Sequence, residues 1–136
     1  MPKLYFHDAG LACWLLGIRT AEQLASHPLR GSIFETFIIS ELIKSRLNQG
    51  ERPDLYSWRD SNGNEVDVIA EQGAELLPIE IKSGRSVTRE AFAGLNKWRT
   101  LAGDTAMKGA LVYGGDESYS QNEVAVTGWR ECGGLL

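Results

Sequence analysis

The sequence contains little cysteine, with only Cys13 and Cys132 among its 136 residues. Neither belongs to a CxxC pair or to a Cys/His spacing, which disfavours both a structural zinc site and a disulfide framework. Cys13 lies in an apolar run and is predicted to be a small buried hydrophobe, whereas Cys132 lies in a Gly-rich tail. Sparse cysteine of this kind favours a reduced, cytoplasmic protein.

Long apolar runs are also missing. No stretch approaches the ~18 apolar residues of a membrane span, and the segment from Met1 to Asp8 lacks the apolar core of a signal peptide. We therefore expect a cytoplasmic protein with no membrane partner. The chain also lacks the GxxxxGK[ST] phosphate loop, so no ATP hydrolysis is expected of it.

Basic residues are not in excess. Fourteen Lys and Arg stand against 18 Asp and Glu, for a formal net charge of −4. A nonspecific DNA-binding protein usually carries a basic footprint, so strong nonspecific binding by this chain alone is disfavoured. Net charge does not determine local patches, and a nucleic-acid substrate therefore stays open.

The composition that remains, 43% hydrophobic and 24% charged, is typical of one globular domain. Periodicity predicts helices at 9–16, 20–26, 32–47 and 86–101, and strands at 3–7, 55–59, 65–70, 76–82, 109–113 and 122–127. An Asn62-Gly63 turn of type I′ is predicted inside a three-stranded meander. We predict a single α/β domain, in which a strand and helical segment at 1–27 packs on a core at 28–136 that ends in a short Gly-rich tail.

Polar residues on two of these strands form the candidate site. Side chains alternate along a strand, so Glu80 and Lys82 share one face, while Asp67 points away from Val66 and Val68. Strands joined by a short connection are usually neighbours, which would place Asp67 beside Glu80. An amphipathic edge strand is the alternative explanation for each strand taken alone.

Paired carboxylates indicate a specific chemistry. They repel each other unless a cation lies between them, and a hard divalent ion such as Mg²⁺ prefers oxygen ligands. Such an ion can polarise a phosphoryl oxygen. Lys82 could then orient the attacking water or stabilise the developing negative charge.

Glu35 adds a carboxylate from the predicted helix 32–47. It borders an apolar face, where an unpaired carboxylate is costly. Two interpretations are equally supported by the pattern: a member of the site, or a helix residue that is either partly exposed or paired with an arginine such as Arg30 or Arg59. Two further ambiguities remain. Trp58 could stack on nucleic acid or pack within the hairpin, and a basic rim or a solvated helix face could explain Arg85, Arg89, Lys97 and Arg99.

Several segments together resemble a known pattern. Glu35 lies in GSIFETF, Asp67 in NEVDV after Trp58-Arg59, and Glu80 with Lys82 in IEIKS. This ordered set resembles the PD-(D/E)XK nuclease pattern. More narrowly, the chain from about residue 3 to residue 115 is similar to the C-terminal domain of unknown function of predicted prokaryotic AAA+ family ATPases, and 3–11 resembles the start of that region.

The resemblance implies a restriction-endonuclease-like core, with a central mixed β-sheet flanked by helices. It implies that Asp67 and Glu80 bind Mg²⁺ or Mn²⁺, that Lys82 is the catalytic lysine, and that Glu35 is an auxiliary ligand, acting directly or through water. The implied function is hydrolysis of DNA phosphodiester bonds, with branched or structured DNA as a candidate substrate and an ATPase as a candidate partner. The alternative is a non-catalytic protein-interaction module that retains the fold. The oligomeric state stays open, with a homodimer among the options.

Overall fold

The computed structural model describes residues 3–136, so the first two residues of the predicted segment 1–27 lie outside the described residues. Within these residues, three helices come first, followed by three strands, a fourth helix and three further strands. The helices are α1 (Ala9–Leu15), α2 (Ala21–Ser26), α3 (Arg30–Asn48) and α4 (Ala93–Ala102). The six strands are β1 (Leu55–Arg59), β2 (Glu65–Gln72), β3 (Glu75–Lys82), β4 (Ala110–Tyr113), β5 (Tyr119–Gln121) and β6 (Val124–Gly128). Short 3-10 turns occupy Arg89–Phe92, Gly103–Thr105 and Trp129–Leu135.

All six strands form one mixed sheet in the order β1-β2-β3-β4-β6-β5. The first three strands form the predicted antiparallel meander. The chain then passes through α4, and β4 adds parallel to β3, as β6 does to β4. The predicted class, a mixed α/β fold with helices flanking a central sheet, is confirmed at this level.

The two faces of the sheet carry separate hydrophobic clusters. On one face α3 contributes Ile38 and Leu42, which pack with Ile79 and Val112. On the other face the region of α4 contributes Phe92 and Leu95. Every residue of β4 is buried, as expected for a parallel strand covered on both sides. α1 and α2 pack against α3.

One predicted element is absent, and a second begins later than predicted. Residues 3–7 form no strand, because the segment lies against α3, where Ser40 Oγ donates to the His7 carbonyl at 2.7 Å. Helix α4 begins at Ala93 and not at 86, because Thr88 is extended (φ −100°, ψ 164°) and a 3-10 turn precedes the helix. The short strand β5 was not predicted.

The predicted hairpin between β1 and β2 is present, but its turn is not type I′. That turn needs positive φ at both central residues, and of the Asn62-Gly63 pair only Gly63 has it (φ 83°). The Asp60 carboxylate instead organises the loop by accepting from the backbone N–H groups of Asn62 and Asn64, each at 2.9 Å. Local side-chain capping therefore decides the turn geometry.

The predicted Gly-rich tail is folded against the rest of the domain. Trp129–Leu135 forms a 3-10 segment that packs against α3, and Ser45 Oγ donates to the Gly133 carbonyl at 2.7 Å. Cys132 is consequently buried, whereas Cys13, the predicted core cysteine, is only half-buried. The Trp129 ring meets Phe37 edge to face, which supplies the apolar contact that holds the segment.

This packing predicts different reactivity for the two thiols. Burial raises the pKa of Cys132 to about 11, and the thiolate is the reactive form. We expect a disulfide reagent such as DTNB to modify Cys13 in the folded protein and Cys132 only on unfolding. Modification kinetics of Cys13→Ser and Cys132→Ser separate the two sites. Rapid modification of folded Cys13→Ser would contradict the packed C-terminal segment.

Among residues 3–136, no helix has both the length and the apolar character needed to cross a membrane.

Candidate functional site

The candidate site lies where β2 and β3 separate. Their backbone pairing runs from Gln72↔Glu75 to Val68↔Ile79. Beyond that point a side chain takes the place of the backbone hydrogen bonds between the two strands: Asp67 Oδ2 accepts from the Ile81 N–H at 2.9 Å. The Asp67 carboxylate is therefore fixed in the opening between the strands, and the residue is only 6% exposed.

A β-bulge aims Asp67 at this opening. The pairing of β1 with β2 shifts register between Tyr56 and Trp58, so that one residue of β1 faces two of β2, Asp67 and Val68. Bulges bend a strand and re-aim its side chains. The prediction that Val66 and Val68 share one face is wrong for this reason: Val66 packs on the α4 side and Val68 on the α3 side.

Glu80 and Lys82 follow regular alternation along β3. Lys82 Nζ donates to Glu80 Oε1 at 2.5 Å, with the Glu80 side chain 7% exposed and that of Lys82 45% exposed. Glu80 Oε2 is buried and accepts no hydrogen bond from any residue that the structure describes. A Cβ built on Gly94 would lie 3.5 Å from this oxygen, so the first turn of α4 covers the Glu80 carboxylate.

Burial dominates the electrostatics of both carboxylates. It raises the pKa of Glu80 to about 7, with a further increase from the charge of Asp67 and an opposing effect from the Lys82 hydrogen bond. Burial also raises the pKa of Asp67, against the stabilising N–H of Ile81. For Lys82, burial lowers the pKa, but the bond to Glu80 and the surrounding carboxylates make the net direction upward. The site therefore favours a cation and disfavours uncompensated negative charge.

Glu35 projects from α3 toward the same region. The Tyr5 hydroxyl donates to Glu35 Oε1 at 2.5 Å. Lys3 Nζ lies 3.3 Å from the same oxygen and 3.6 Å from Asp67 Oδ1, and so bridges the two carboxylates. The alternative prediction that Arg30 pairs with Glu35 is wrong, because the Arg30 guanidinium donates to the Ser83 carbonyl at 2.7 Å.

Lys3 and Tyr5 are site residues that the sequence interpretation missed. They lie 30 or more positions from the carboxylates along the chain, and no spacing rule connects them. In the structure Tyr5 is half-buried, whereas Leu4 between Lys3 and Tyr5 is 89% exposed. No feature of the sequence indicated this difference. Glu65, which had no role in the motif, is close enough for its charge to raise the pKa of Glu80 and Lys82.

The residues suit a hard metal ion in their donor type. Carboxylate oxygens are the ligands that Mg²⁺ prefers, and the unpartnered Oε2 of Glu80 offers a free ligand atom. A cavity of about 260 Å³, lined in part by Lys3, Tyr5 and Ile39, opens beside Asp67. As placed, however, no three Asp, Glu, His or Cys side chains of residues 3–136 converge as a preformed metal cluster. The carboxylates form ion pairs with two lysines instead. Lys3 pairs with Glu35 and Asp67, and Lys82 pairs with Glu80.

The structure shows contacts for three of the residues whose roles the sequence left open. The Trp58 ring meets Trp98 edge to face, with centroids 5.4 Å apart, so it packs toward α4. Two of the four residues of the suggested basic rim are paired with acids: Arg85 with Asp116 at 3.2 Å and Arg99 with Glu123 at 3.5 Å.

The fold and the site together define a mixed α/β domain in which two buried carboxylates and the partly exposed lysines that pair with them lie at a fork in the sheet. The chain belongs to the family described as Domain of unknown function (DUF4143), whose model matches residues 30–132. It is similar to an uncharacterized protein of Mycobacterium bovis and to one of Mycobacterium tuberculosis, each 28% identical over 127 residues, or 92% of this chain. The chain spans about a quarter (26%) of the length of these relatives. No solved structure matches it.

Proposed function

We propose that the chain is an Mg²⁺- or Mn²⁺-dependent nuclease domain with a restriction-endonuclease-like core, which hydrolyses DNA phosphodiester bonds. In this proposal it is a C-terminal-type module of an AAA+ family ATPase system, and the ATPase supplies the additional affinity for DNA that a chain of net charge −4 lacks. The longer relatives are in keeping with such a modular arrangement.

One observation carries the proposal. Asp67, Glu80 and Lys82 meet at the β2–β3 fork, and the buried Glu80 Oε2 has no hydrogen-bond partner among the described residues. Burying a carboxylate oxygen without a partner costs free energy. Such a cost is common at functional sites, where a ligand supplies the missing interaction.

Each residue has a chemical role in this proposal. Asp67 and Glu80 would hold the ion, with Glu35 as an auxiliary ligand. When bound, the ion supplies Lewis-acid activation of the phosphoryl group and of the attacking water. Lys82 presents a half-exposed ammonium, which can stabilise the negative charge that develops on the phosphate. Glu80 positions Lys82 through the 2.5 Å hydrogen bond.

Cleavage of plasmid and branched DNA tests the proposal. We expect the purified chain to cleave DNA in Mg²⁺ or Mn²⁺ and to be inactive in EDTA. Asp67→Asn and Lys82→Met should each lower the rate by roughly 100-fold or more, the typical effect of removing one group that stabilises the transition state. Product analysis on gels with purified variants measures this rate.

Lys108→Met is the matched control, because Lys108 is an exposed lysine that pairs with Glu123 at 3.2 Å, away from the fork. It should cleave as the wild type does. Cleavage that survives in both Asp67→Asn and Lys82→Met would assign the activity to a contaminant or to another site, and would end the proposal.

The second candidate is a non-catalytic module that binds a protein partner. It is favoured by the apolar side chains that α1 exposes, including Trp14 and Leu15, each 61% exposed. Exposed apolar patches of this kind often mark protein contacts. An apolar cavity of about 440 Å³ between α1, α2 and α3 lies beside it. Absence of both metal binding and cleavage would favour this candidate.

A further inference from the structure

The ammonium of Lys3 occupies the space between two carboxylates that come from different elements. Its Nζ lies 3.3 Å from Glu35 Oε1 on α3 and 3.6 Å from Asp67 Oδ1 on β2. The second oxygen of Asp67 accepts from the Ile81 N–H. Oδ1 is therefore the Asp67 oxygen that remains for a cation, and Lys3 is the cation that it meets.

Lys3 reaches this place from a loosely held segment. Residues 3–7 belong to no helix or strand, and Leu4 and Phe6 are exposed. Besides the contact of Lys3 with Glu35, two hydrogen bonds join the segment to α3: Tyr5 Oη to Glu35 at 2.5 Å and Ser40 Oγ to the His7 carbonyl at 2.7 Å. A segment with few buried contacts opens at low free-energy cost.

We propose that Lys3 is an internal cation that competes with the divalent ion for Glu35 and Asp67, so that the segment 3–7 controls access of metal to the site. This inference rests on the proposed function. Two cations cannot share these oxygens without strong mutual repulsion. Metal binding therefore requires the ammonium to withdraw, and Lys3 lowers the apparent affinity for metal by the free energy of that withdrawal.

Tyr5 has a different part in the arrangement. It donates to the same Oε1 of Glu35 that Lys3 approaches, but it carries no charge. It therefore orients Glu35 without competing for the site. Removal of its hydroxyl should not tighten metal binding, whereas removal of the Lys3 charge should.

A purely structural ion pair makes the opposite prediction. If Lys3 only stabilised the fold, its loss would leave Glu35 and Asp67 less well placed, and metal affinity would stay constant or fall. Competition predicts a rise in affinity. The direction of the change in dissociation constant therefore separates the two explanations.

The test is calorimetric titration of Mn²⁺ into the full chain and into Lys3→Met, Lys3→Gln, Tyr5→Phe and Lys108→Met. Coupling between two binding interactions in one protein commonly changes affinity by about 5- to 150-fold. We expect Lys3→Met and Lys3→Gln to bind Mn²⁺ about tenfold more tightly than the wild type, whereas Lys108→Met and Tyr5→Phe do not gain affinity. Mn²⁺ should also raise the melting temperature more in the two Lys3 variants, a readout that does not depend on cleavage.

The outcomes are distinct. Equal or weaker Mn²⁺ binding by both folded Lys3 variants, with measurable binding by the wild type, overturns the competition and leaves the proposed function standing. Detectable binding only after loss of Lys3 supports strong occlusion. Failure of every variant to bind Mn²⁺ overturns both the competition and the metal-dependent function. Asp67→Asn in the Lys3→Met background locates the site, because it should remove the gain.

Discussion

Replacement of Gly94 by alanine is expected to lower the free energy of unfolding by about 2–3 kcal/mol. A Cβ at this position would lie 2.2 Å from the backbone carbonyl oxygen of Glu65 on β2. Backbone cannot rotate away as a flexible side chain can, so α4 must move from the sheet. Alanine gains up to about 1 kcal/mol over glycine in a helix interior, which offsets only part of the cost.

Gly133→Ala is the matched control for this substitution. Gly133 also lies in a helical turn, and a Cβ there has no neighbour within 4 Å. Its free energy of unfolding should stay close to that of the wild type. Urea denaturation followed by circular dichroism measures both variants. An equal effect of the two substitutions would show that the close approach of α4 to β2 is not required.

The same close approach shapes the candidate site. Gly94 is close to both the Glu65 carbonyl and the Glu80 carboxylate, so the absence of its side chain lets α4 lie low over Glu80. That cover excludes water, and exclusion of water is the largest cause of the raised pKa of Glu80. A small residue in a helix thus produces an electrostatic property on a neighbouring strand.

The parts of the fold that depend on local pattern were predictable from the sequence. The meander β1-β2-β3 follows from period-two strands joined by short turns, and the shared face of Glu80 and Lys82 follows from regular alternation. The placement of Asp67 was not predictable by the same rule, because it needs a bulge that is visible only in the pairing of β1 with β2. Strand periodicity carries no information on where a register shift occurs.

The environment of Glu35 is a second feature that could not be predicted from the sequence. Sequence proximity suggested Arg30 as its partner, but in the structure Arg30 donates to the Ser83 carbonyl. The partners of Glu35 are instead Lys3 and Tyr5, which lie 30 or more positions away along the chain. Such pairing follows from how the segment 3–7 crosses α3, which is a tertiary property. The charge of the residue indicated correctly that a partner was needed, and the fold determined which one.

Glu80→Gln is expected to stabilise the metal-free protein at pH 8 while leaving its stability almost unchanged at pH 5. In the folded wild type the pKa of Glu80 is raised from 4.5 to about 7, first by burial and then by Asp67. A raised pKa means that the fold favours the protonated carboxyl. This contribution to stability is fully present below about pH 4.5 and is lost as the pH rises through about 7.

The size of the effect follows from the same shift. Each pH unit of difference between folded and unfolded pKa corresponds to about 1.4 kcal/mol, so the wild type loses about 3 kcal/mol in total. Glutamine has the shape of the protonated acid and has no proton to lose. The stability difference between Glu80→Gln and the wild type should therefore grow by about 2–3 kcal/mol between pH 5 and pH 8. Urea denaturation in EDTA measures it, since a bound divalent cation would stabilise the carboxylate.

Glu75→Gln is the control on the same strand, because Glu75 is exposed at the opposite end of β3. Its effect should be small and equal at the two pH values. A Glu80→Gln difference that does not grow with pH would mean that α4 leaves the carboxylate open to water, and that the unpartnered oxygen is solvated. A difference that grows as expected, and that reverses when Mn²⁺ replaces EDTA, would identify Glu80 as a carboxylate that the fold disfavours until a cation is present.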